Sequence, residues 1–452
     1  MNKQDSISEE VKALHLLNEL ERILESDPLL DEVGFIHPTQ FVTLNEELCS
    51  SGDDETSSSG VLSNYNACFW NKDRKLGIST DVLFPLYQAA KRAFMAAIKQ
   101  YKALSNSSDK TWFEDCTCIL SSSHSGVESE VMKHGRALLL LSCDFGTAWH
   151  SRKLVVSKKH PQSMFMDELN LSALILSYAP KCENAWSHRR WVIKSIAGSC
   201  PNLQEILGKE SELVEKIAER SKMNYRAWNH RCWLVSYMST EQVLRELNKS
   251  RNWASLHVAD NSCFHYRRRL MLRILEDSGD EPKIVSSGCT VEILQLWKNK
   301  VVLWLEYVDH TMEELDWNER LIKLYVGREG LWLHRRFLAL VLIKRLLVDH
   351  TDMGMNNDFS GFIDTELHLL RTCSIVPDSH FEDHKAQALY SATYLLWLLK
   401  QIPESCGFDF NKKLRAENLQ SMLKEASSEK SFLWDFSIGC KELSSDKCER
   451  GN

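Results

Sequence analysis

The hydrophobic and polar positions in the middle of this chain form short amphipathic segments that are followed by turns. Two such segments are Asp167–Tyr178 and Glu212–Ser221, and turns follow them at residues 179–180 and 222–224. Apolar residues spaced three or four apart predict helices. Pro and Asn between the segments predict the breaks. The middle of the chain is therefore predicted to consist of helical hairpins.

A short element built on Trp, His and Arg returns five times along these hairpins. Its leading aromatic stands at positions 149, 186, 228, 264 and 332, which gives steps of 37, 42, 36 and 68 residues. The last step is about two units long and holds an insertion or a decayed repeat. A period of about 35 residues in two helices is typical of a solenoid. The predicted fold class is all-α, a right-handed superhelical solenoid, or crescent, of tetratricopeptide-like helical hairpins.

The residues of this element have two interpretations. They could line a shared surface for a partner or an anion, or they could form the repeat core. An arginine near the start of a helix is opposed by the macrodipole, so a buried one needs a carboxylate or carbonyl partner. We favour the structural role for each residue taken singly. The residues predicted for the partner interface or repeat core are Trp149, His150, Arg152, Trp186, His188, Arg189, Trp228, His230, Arg231, His265, Tyr266, Arg267, Trp332, His334 and Arg335.

Three regions are predicted along the chain. Residues 1–125 form an N-terminal helical region, with a helix over Glu9–Glu25 and a flexible acidic and Ser-rich linker near 50–60. Residues 126–400 form the repeat solenoid, with a surface loop over Asp277–Gly288. Residues 401–452 form a C-terminal helix and a loosely ordered tail.

Composition narrows the function. The 452 residues include 55 basic and 62 acidic side chains, and a net charge of -7 disfavours nucleic-acid binding. No apolar stretch approaches the ~20 residues of a membrane span, so we expect a cytoplasmic protein. The 14 cysteines include no Cys-x-x-Cys pair, which predicts reduced thiols and no metal site in this chain. Phosphate-binding Gly-rich loops and hydrolase motifs are also absent from the sequence.

Two copies of the element carry a family resemblance. Residues 180–191 read Pro-Lys-Cys-Glu-Asn-Ala-Trp-Ser-His-Arg-Arg-Trp, and residues 224–233 read Asn-Tyr-Arg-Ala-Trp-Asn-His-Arg-Cys-Trp. Both resemble the repeat of protein prenyltransferase alpha subunits, whose usual form is Pro-Lys-Asn-Tyr-x-x-Trp-x-His-Arg-Arg-Trp. The similarity covers about residues 129–345. Residues 31–36 and 253–267 are similar to the repeat-containing branch of that family.

The resemblance implies a chain that works only in a heterodimer. Its partner would be a prenyltransferase beta subunit, an αα-barrel that holds the catalytic zinc and the isoprenoid pocket. In this branch the implied partner is the beta subunit shared with Rab geranylgeranyltransferase. The implied reaction moves a geranylgeranyl or farnesyl group from an isoprenyl diphosphate to a C-terminal cysteine of a protein substrate. No cofactor is expected in this chain, which alone is expected to be inactive.

Family alpha subunits also lend a lysine and a tyrosine to the leaving diphosphate from the turns before their repeat helices. Lys181 stands at the family lysine's position, whereas Glu183 replaces the family tyrosine. In the next copy, Asn224 and Tyr225 keep the family's positions and Arg226 adds a cation. The resemblance thus implies that Lys181 and Tyr225 support catalysis at the diphosphate, and that Asn224 and Arg226 bind substrate.

Two alternatives stay open. Lys181 could be an ordinary solvated turn lysine, since exposed lysines are common on loops. The chain could also be a non-catalytic helical-repeat scaffold that binds another protein. Glu183 and the degenerate fourth copy, which begins at Phe264, favour the scaffold.

Overall fold

The computed structural model of the chain describes residues 3–41, 43, 68–108, 117–159, 162–279, 311–348, 356–376 and 381–402. The chain divides into two compact units, Met1–Tyr237 and Met238–Asn452. The predicted linker near 50–60, most of the predicted loop at 277–288 and the tail from 403 onward lie outside the described residues. The predicted boundary between residues 125 and 126 falls inside a helix.

Helices form most of the described part of the first unit. They are α1 (Lys3–Ser26), α2 (Leu83–Ser108), α3 (Thr117–Leu141), α4 (Gly146–Lys159), α5 (Gln162–Tyr178), α6 (Glu183–Ile196), α7 (Leu203–Arg220) and α8 (Tyr225–Leu234). Each apolar face is covered by a neighbouring helix, as α5 is by α6 and α7 by α8. The predicted helical hairpins, and the predicted helix within α1, are confirmed.

The second unit continues the pattern. Its described helices are α9 (Thr240–Leu256), α10 (Asn261–Gly279), α11 (residues 311–324), α12 (Glu329–Val348), α13 (Asn356–Ser374) and α14 (Glu382–Gln401). The turn before α12 contains Gly327, whose φ of 76° suits glycine. The all-α fold class is confirmed. In the part of the chain that is described, no helix is both long and apolar enough to cross a membrane.

A small sheet in the first unit departs from the predicted helical pattern. Its strands, β1 (Glu32–Ile36), β2 (Phe69–Lys72) and β3 (Lys75–Ser79), lie in the order β1-β3-β2. β1 pairs with β3 in parallel, and β2 pairs with β3 as a hairpin. Strands this short give too little alternation to predict. The backbone N–H of Val33 donates to Ser177 Oγ at 3.1 Å, so the sheet lies against α5.

The leading tryptophans anchor the repeats. The exposed fraction is 4% for Trp149, 0% for Trp186, and 2% for both Trp228 and Trp332. The indole N–H of Trp149 donates to the Cys143 carbonyl at 2.8 Å, and that of Trp186 donates to the Pro180 carbonyl at 3.1 Å. Each of these two indoles thus packs in the core and stabilises, by its hydrogen bond, the turn before its own helix. The predicted burial of all four tryptophans is confirmed.

We expect Trp186→Ala to lower the free energy of unfolding by about 3 to 5 kcal/mol, because it leaves a large cavity in the core. Urea denaturation followed by circular dichroism measures this loss. The matched control is Phe84→Ala in the same unit, since the Phe84 ring is 70% exposed. It should change the free energy of unfolding by less than about 0.5 kcal/mol. Equal small losses in both variants would contradict the anchoring role of the indole.

Candidate functional site

A buried carboxylate lies at the junction between the first two copies of the repeated element. Glu168 accepts hydrogen bonds from Arg152 Nε at 3.0 Å and Arg152 Nη2 at 2.6 Å. The same carboxylate contacts His188 Nε2 at 2.7 Å. Arg152 belongs to one copy and His188 to the next, so one glutamate on α5 joins two copies.

This arrangement recurs in both units. In the first unit, Glu210 contacts His230 Nε2 at 3.0 Å and accepts two hydrogen bonds from Arg189, that from Nε at 2.8 Å. In the second unit, Glu314 accepts hydrogen bonds from Arg267 at 2.7 and 2.6 Å and contacts His334 at 3.0 Å. We call each buried glutamate of this kind, together with the arginine, histidine or tyrosine side chains that it contacts, a carboxylate relay.

Tyrosine takes the place of histidine at two further glutamates of the second unit. Tyr266 donates its hydroxyl to Glu246 at 2.8 Å. Tyr394 donates to Glu366 at 2.7 Å, and Glu366 also accepts from Arg335 at 3.2 and 2.5 Å. A phenol can replace an imidazole here because both offer a single donor at the end of a flat ring.

The relay arginines also bond to backbone carbonyls 20 residues before them. The acceptors are Met132 for Arg152, Leu169 for Arg189, Leu247 for Arg267 and Leu315 for Arg335, at 2.5 to 2.6 Å. A carboxylate and a carbonyl are the two kinds of partner that a buried arginine needs. These arginines have the contacts that the structural role requires. Arg231 is also buried, and its Nε donates to Ser211 Oγ at 2.8 Å.

Charge in the relays is fixed by burial and by the arginine. Burial by itself raises the pKa of the Glu210 carboxyl, but the charge of Arg189 and the hydrogen bond from His230 outweigh it and lower the pKa to about 2. The same balance brings the pKa of Glu168 and Glu314 to about 2. Burial lowers the pKa of His230 despite its carboxylate partner. The relay is therefore a guanidinium, a carboxylate and a neutral imidazole.

The imidazole geometry agrees with neutral rings. Nε2 must carry the proton, because a carboxylate can only accept. The Nδ1 atoms of His188, His230 and His334 are buried and have no hydrogen-bond partner among the described residues. A second proton on such a ring would be a buried, unsatisfied donor. The relays lack access to solvent and hold the repeats together, so a second group of residues is the candidate for chemistry.

That second group lies on the turns before α6 and α8. Asn224 joins the two turns, because its Nδ2 donates to the Pro180 carbonyl at 2.8 Å and its Oδ1 accepts from the Ala227 N–H at 3.2 Å. Asn224 itself is buried, whereas Lys181 and Tyr225 are exposed, Tyr225 by 73%. The fold thus brings the predicted residues Lys181, Asn224, Tyr225 and Arg226 to two joined turns.

Glu183 is neutralised by two arginines on this surface. Its carboxylate accepts from Arg190 Nη2 at 2.7 Å and from Arg226 Nε at 3.0 Å. Lys181 takes part in no ion pair within the described part of the chain. We call Lys181, Glu183, Tyr225 and Arg226 the turn face. The glutamate that replaces the family's tyrosine is therefore held by cations and does not stand alone.

Two predicted residues lie outside the repeat core. His150 and His265 are exposed, because each follows the leading aromatic by one residue and so lies about 100° around the helix from it. Ser187, Asn229 and Leu333 occupy the same position and are exposed as well. Their part in a partner interface stays a prediction.

The repeat analysis misses the relay glutamates. Each of Glu168, Glu210, Glu246 and Glu314 stands 20 residues before the His or Tyr that it contacts. That spacing is a signal in the sequence, but helical glutamates are usually exposed. A search for buried partners of Arg and His at a fixed spacing would find them.

The relays coincide with a known sequence repeat. The family model described as Protein prenyltransferase alpha subunit repeat matches residues 165–196, 207–238 and 243–274. Each matched stretch contains one helix with a relay glutamate and the following helix with its aromatic-led copy. The copies that begin at Trp149 and Trp332 lie outside the matched stretches.

Several proteins are similar to this chain. Protein prenyltransferase alpha subunit repeat-containing protein 1-B of Xenopus laevis is 30% identical over 255 residues, which cover 50% of this chain and 58% of that protein. Protein prenyltransferase alpha subunit repeat-containing protein 1 of Homo sapiens is 31% identical over 233 residues, covering 44% and 56%. Geranylgeranyl transferase type-2 subunit alpha of Saccharomyces cerevisiae is 25% identical over 156 residues, covering 32% and 46%. The chain therefore spans little more than half the length of the first two relatives.

We expect Glu210→Gln to lower the free energy of unfolding near pH 7 by about 3 to 5 kcal/mol, because it leaves Arg189 without its counter-charge. The pKa of Glu210 falls on folding from its ordinary 4.5 to about 2. Its stabilisation is therefore complete above pH 4.5 and is lost as the pH falls towards 2. Urea denaturation of the wild type and of Glu210→Gln at several pH values measures this effect. The difference between their free energies of unfolding should become smaller as the pH falls.

The matched control is Glu205→Gln, which changes an exposed glutamate on the same helix. This variant should unfold at the same urea concentration as the wild type. If the difference in free energy of unfolding between the wild type and Glu210→Gln does not change with pH, the relay carboxylate is not ionised.

Proposed function

We propose that this chain, three stretches of which match the Protein prenyltransferase alpha subunit repeat, is the alpha-type subunit of a cytoplasmic heterodimeric protein prenyltransferase. Its partner is a prenyltransferase beta subunit, of the kind shared with Rab geranylgeranyltransferase. The assembled enzyme transfers a geranylgeranyl or farnesyl group from an isoprenyl diphosphate to a C-terminal cysteine of a protein substrate. The observation that carries this proposal is the cationic turn face on two joined turns.

The charge balance of the turn face suits a diphosphate. Lys181 and Arg226 of the turn face and Arg190 of α6 supply three positive charges, and Glu183 and the neighbouring exposed Asp144 supply two negative charges. Both turns also lead into helices, whose first N–H groups add partial positive charge. A surface with this excess attracts an anionic leaving group, while the pairing of Glu183 removes most of its repulsion.

Within this proposal the two subunits divide the chemistry. A zinc ion in the partner would lower the pKa of the substrate cysteine, so that its thiolate is available at neutral pH. On this chain, the Lys181 ammonium and the Tyr225 hydroxyl donate to the diphosphate oxygens. Charge builds on these oxygens only as the bond to C1 of the isoprenoid breaks, so donors placed there stabilise the transition state more than the bound substrate. The relays keep the turns in place and take no part in the transfer.

A non-catalytic scaffold is the second candidate. Glu183 favours it, because a glutamate at this position lacks the hydroxyl donor that the family tyrosine would offer. The similarity to relatives named as repeat-containing proteins is equally compatible with it. A scaffold would use the same exposed turns to bind a protein of another kind.

We expect the full chain, co-expressed with the type-2 geranylgeranyl transferase beta subunit of the same organism, to form a one-to-one complex. The complex should be stable because a permanent heterodimer has a large interface. Size-exclusion chromatography with light scattering gives the stoichiometry, and each subunit expressed alone is the control. The complex should transfer a labelled isoprenoid to a protein with a C-terminal cysteine. A chain that remains alone under these conditions would support the scaffold.

We expect Lys181→Ala to lower the single-turnover rate of the complex about 10- to 1,000-fold, the usual effect of losing one preorganised donor. Complex formation should not change, because one exposed lysine contributes little to a large interface. The assay uses saturating isoprenoid diphosphate, so that the chemical step is observed.

The control for this assay is Lys209→Ala, which removes a lysine with 71% of its side chain exposed on α7. Its single-turnover rate should equal that of the wild type. An unchanged rate in Lys181→Ala would make Lys181 a plain surface residue and reduce this chain's role to supporting the beta subunit.

A further inference from the structure

Two turns of the first unit bring two thiols and a carboxylate together. Cys143 and Asp144 lie in the turn between α3 and α4, and Cys182 is the N-cap residue of α6. One ligand atom from each residue lies within 4.8 Å of the other two. Cys182 Sγ is 3.8 Å from Asp144 Oδ1, and both cysteines are free thiols. These residues belong neither to the carboxylate relays nor to the turn face, and a metal ion held by them would overturn the expectation, drawn from the lack of a Cys-x-x-Cys pair, that this chain has no metal site.

We propose that Cys143, Asp144 and Cys182 bind a divalent metal ion of the zinc class. In a tetrahedral site with Zn–S of about 2.3 Å and Zn–O of about 2.1 Å, a sulfur and an oxygen ligand are about 3.6 Å apart and two sulfur ligands are about 3.8 Å apart. The observed 3.8 Å between Cys182 Sγ and Asp144 Oδ1 is within about 0.2 Å of the sulfur–oxygen edge. Two thiolates with one carboxylate favour zinc over magnesium or calcium, which prefer oxygen ligands alone.

The turns that carry the three ligands are held by hydrogen bonds. The Cys143 carbonyl accepts the Trp149 indole N–H at 2.8 Å. The Cys182 N–H donates to the Ala179 carbonyl at 3.0 Å, and the Cys182 carbonyl accepts from the Trp186 N–H at 3.3 Å. The ligands are thus preorganised. Asp144 is exposed, which gives an ion access and leaves the fourth coordination position to water.

The Cys182 thiol by itself links its turn only weakly to the preceding turn. Cys182 and Asn224 each stand four residues before the leading tryptophan of their copies. Asn224 joins its turn to the preceding one by a hydrogen bond of 2.8 Å to the Pro180 carbonyl. Cys182 reaches the corresponding Cys143 carbonyl at 3.5 Å, an ordinary distance for sulfur, but a thiol is a weaker donor than an amide. A bound cation would link these two turns, as Asn224 links the next pair of turns.

Binding has a chemical signature that does not depend on prenyl transfer. Thiolates and not thiols are the ligands, so the ion displaces the protons of Cys143 and Cys182 to solvent, two protons for each ion bound. The site joins the turn between α3 and α4 to the turn that carries Lys181, directly before Cys182. It is separate from the zinc proposed for the beta subunit, because all three ligands belong to this chain.

The test is a titration of the isolated full chain, reduced and freed of metal with a chelator, first with Co²⁺ and then with Zn²⁺. We expect one Co²⁺ per chain, a thiolate-to-cobalt charge-transfer absorption, its loss on adding Zn²⁺, and the release of two protons. Cys182→Ser and Cys143→Ser should abolish the absorption. Asp144→Asn, which changes an exposed residue and leaves the core untouched, should weaken Zn²⁺ binding by at least about 10-fold.

The matched control is Cys200→Ser, which removes a half-buried cysteine of the same unit and should leave binding unchanged. Circular dichroism of each variant confirms that it is folded. The absence of a charge-transfer absorption in the wild-type chain would overturn the proposal. A Cys143–Cys182 disulfide found by mass spectrometry, with no metal uptake after reduction, would also overturn it and make the cysteines a redox pair.

Discussion

The buried carboxylate between consecutive hairpins is the interaction on which the rest of each unit depends. A glutamate withdrawn from water is costly, and the cost is offset only when its oxygens are filled by well-placed donors. Arg189 supplies a two-pronged guanidinium to Glu210 and His230 supplies one more N–H. The two donors come from successive copies. The carboxylate is therefore satisfied only when consecutive hairpins pack against each other in one register. We infer that the relays specify register, while the tryptophans supply most of the apolar burial.

Register in the core determines where the turns lie. The indole N–H of Trp186 fixes the Pro180 carbonyl, and Asn224 bonds to that same carbonyl from the next turn. The turn residues are thereby presented in a regular array, although their own side chains contribute little to the core. Chemistry can then differ from one turn to the next without loss of the fold. A thiol at position 182 and an amide at position 224 occupy equivalent places.

The sequence was informative where one residue type carries one physical role. Tryptophan followed by His and Arg predicts a buried, aromatic-led helix, and the burial of Trp186 and Trp228 agrees with it. The glutamates were missed because their partners lie in other helices, and a single helical glutamate looks like a solvated one. The three-stranded sheet was missed for another reason. β1 ends 32 residues before β2 begins, and its parallel pairing with β3 depends on tertiary packing. The β2–β3 hairpin is local, but its turn residues Asp73 and Arg74 lack the glycine that usually signals such a turn.

The turn face shows most clearly what pairing adds to a sequence motif. In the sequence, Glu183 in place of a tyrosine counts against a diphosphate site, because a free carboxylate would repel the anion. In the fold, Arg226, which stands 43 residues after Glu183 in the sequence, binds that carboxylate. Arg190 also binds it, from the same helix as Glu183. Arg226 is itself the added cation of its own turn. The lost hydroxyl donor and the gained guanidinium therefore lie on the same pair of joined turns, and the surface around Lys181 keeps its excess of positive charge. This compensation removes the electrostatic objection to an anionic ligand at these turns, and it leaves the lost hydroxyl donor as the feature of Glu183 that favours the scaffold.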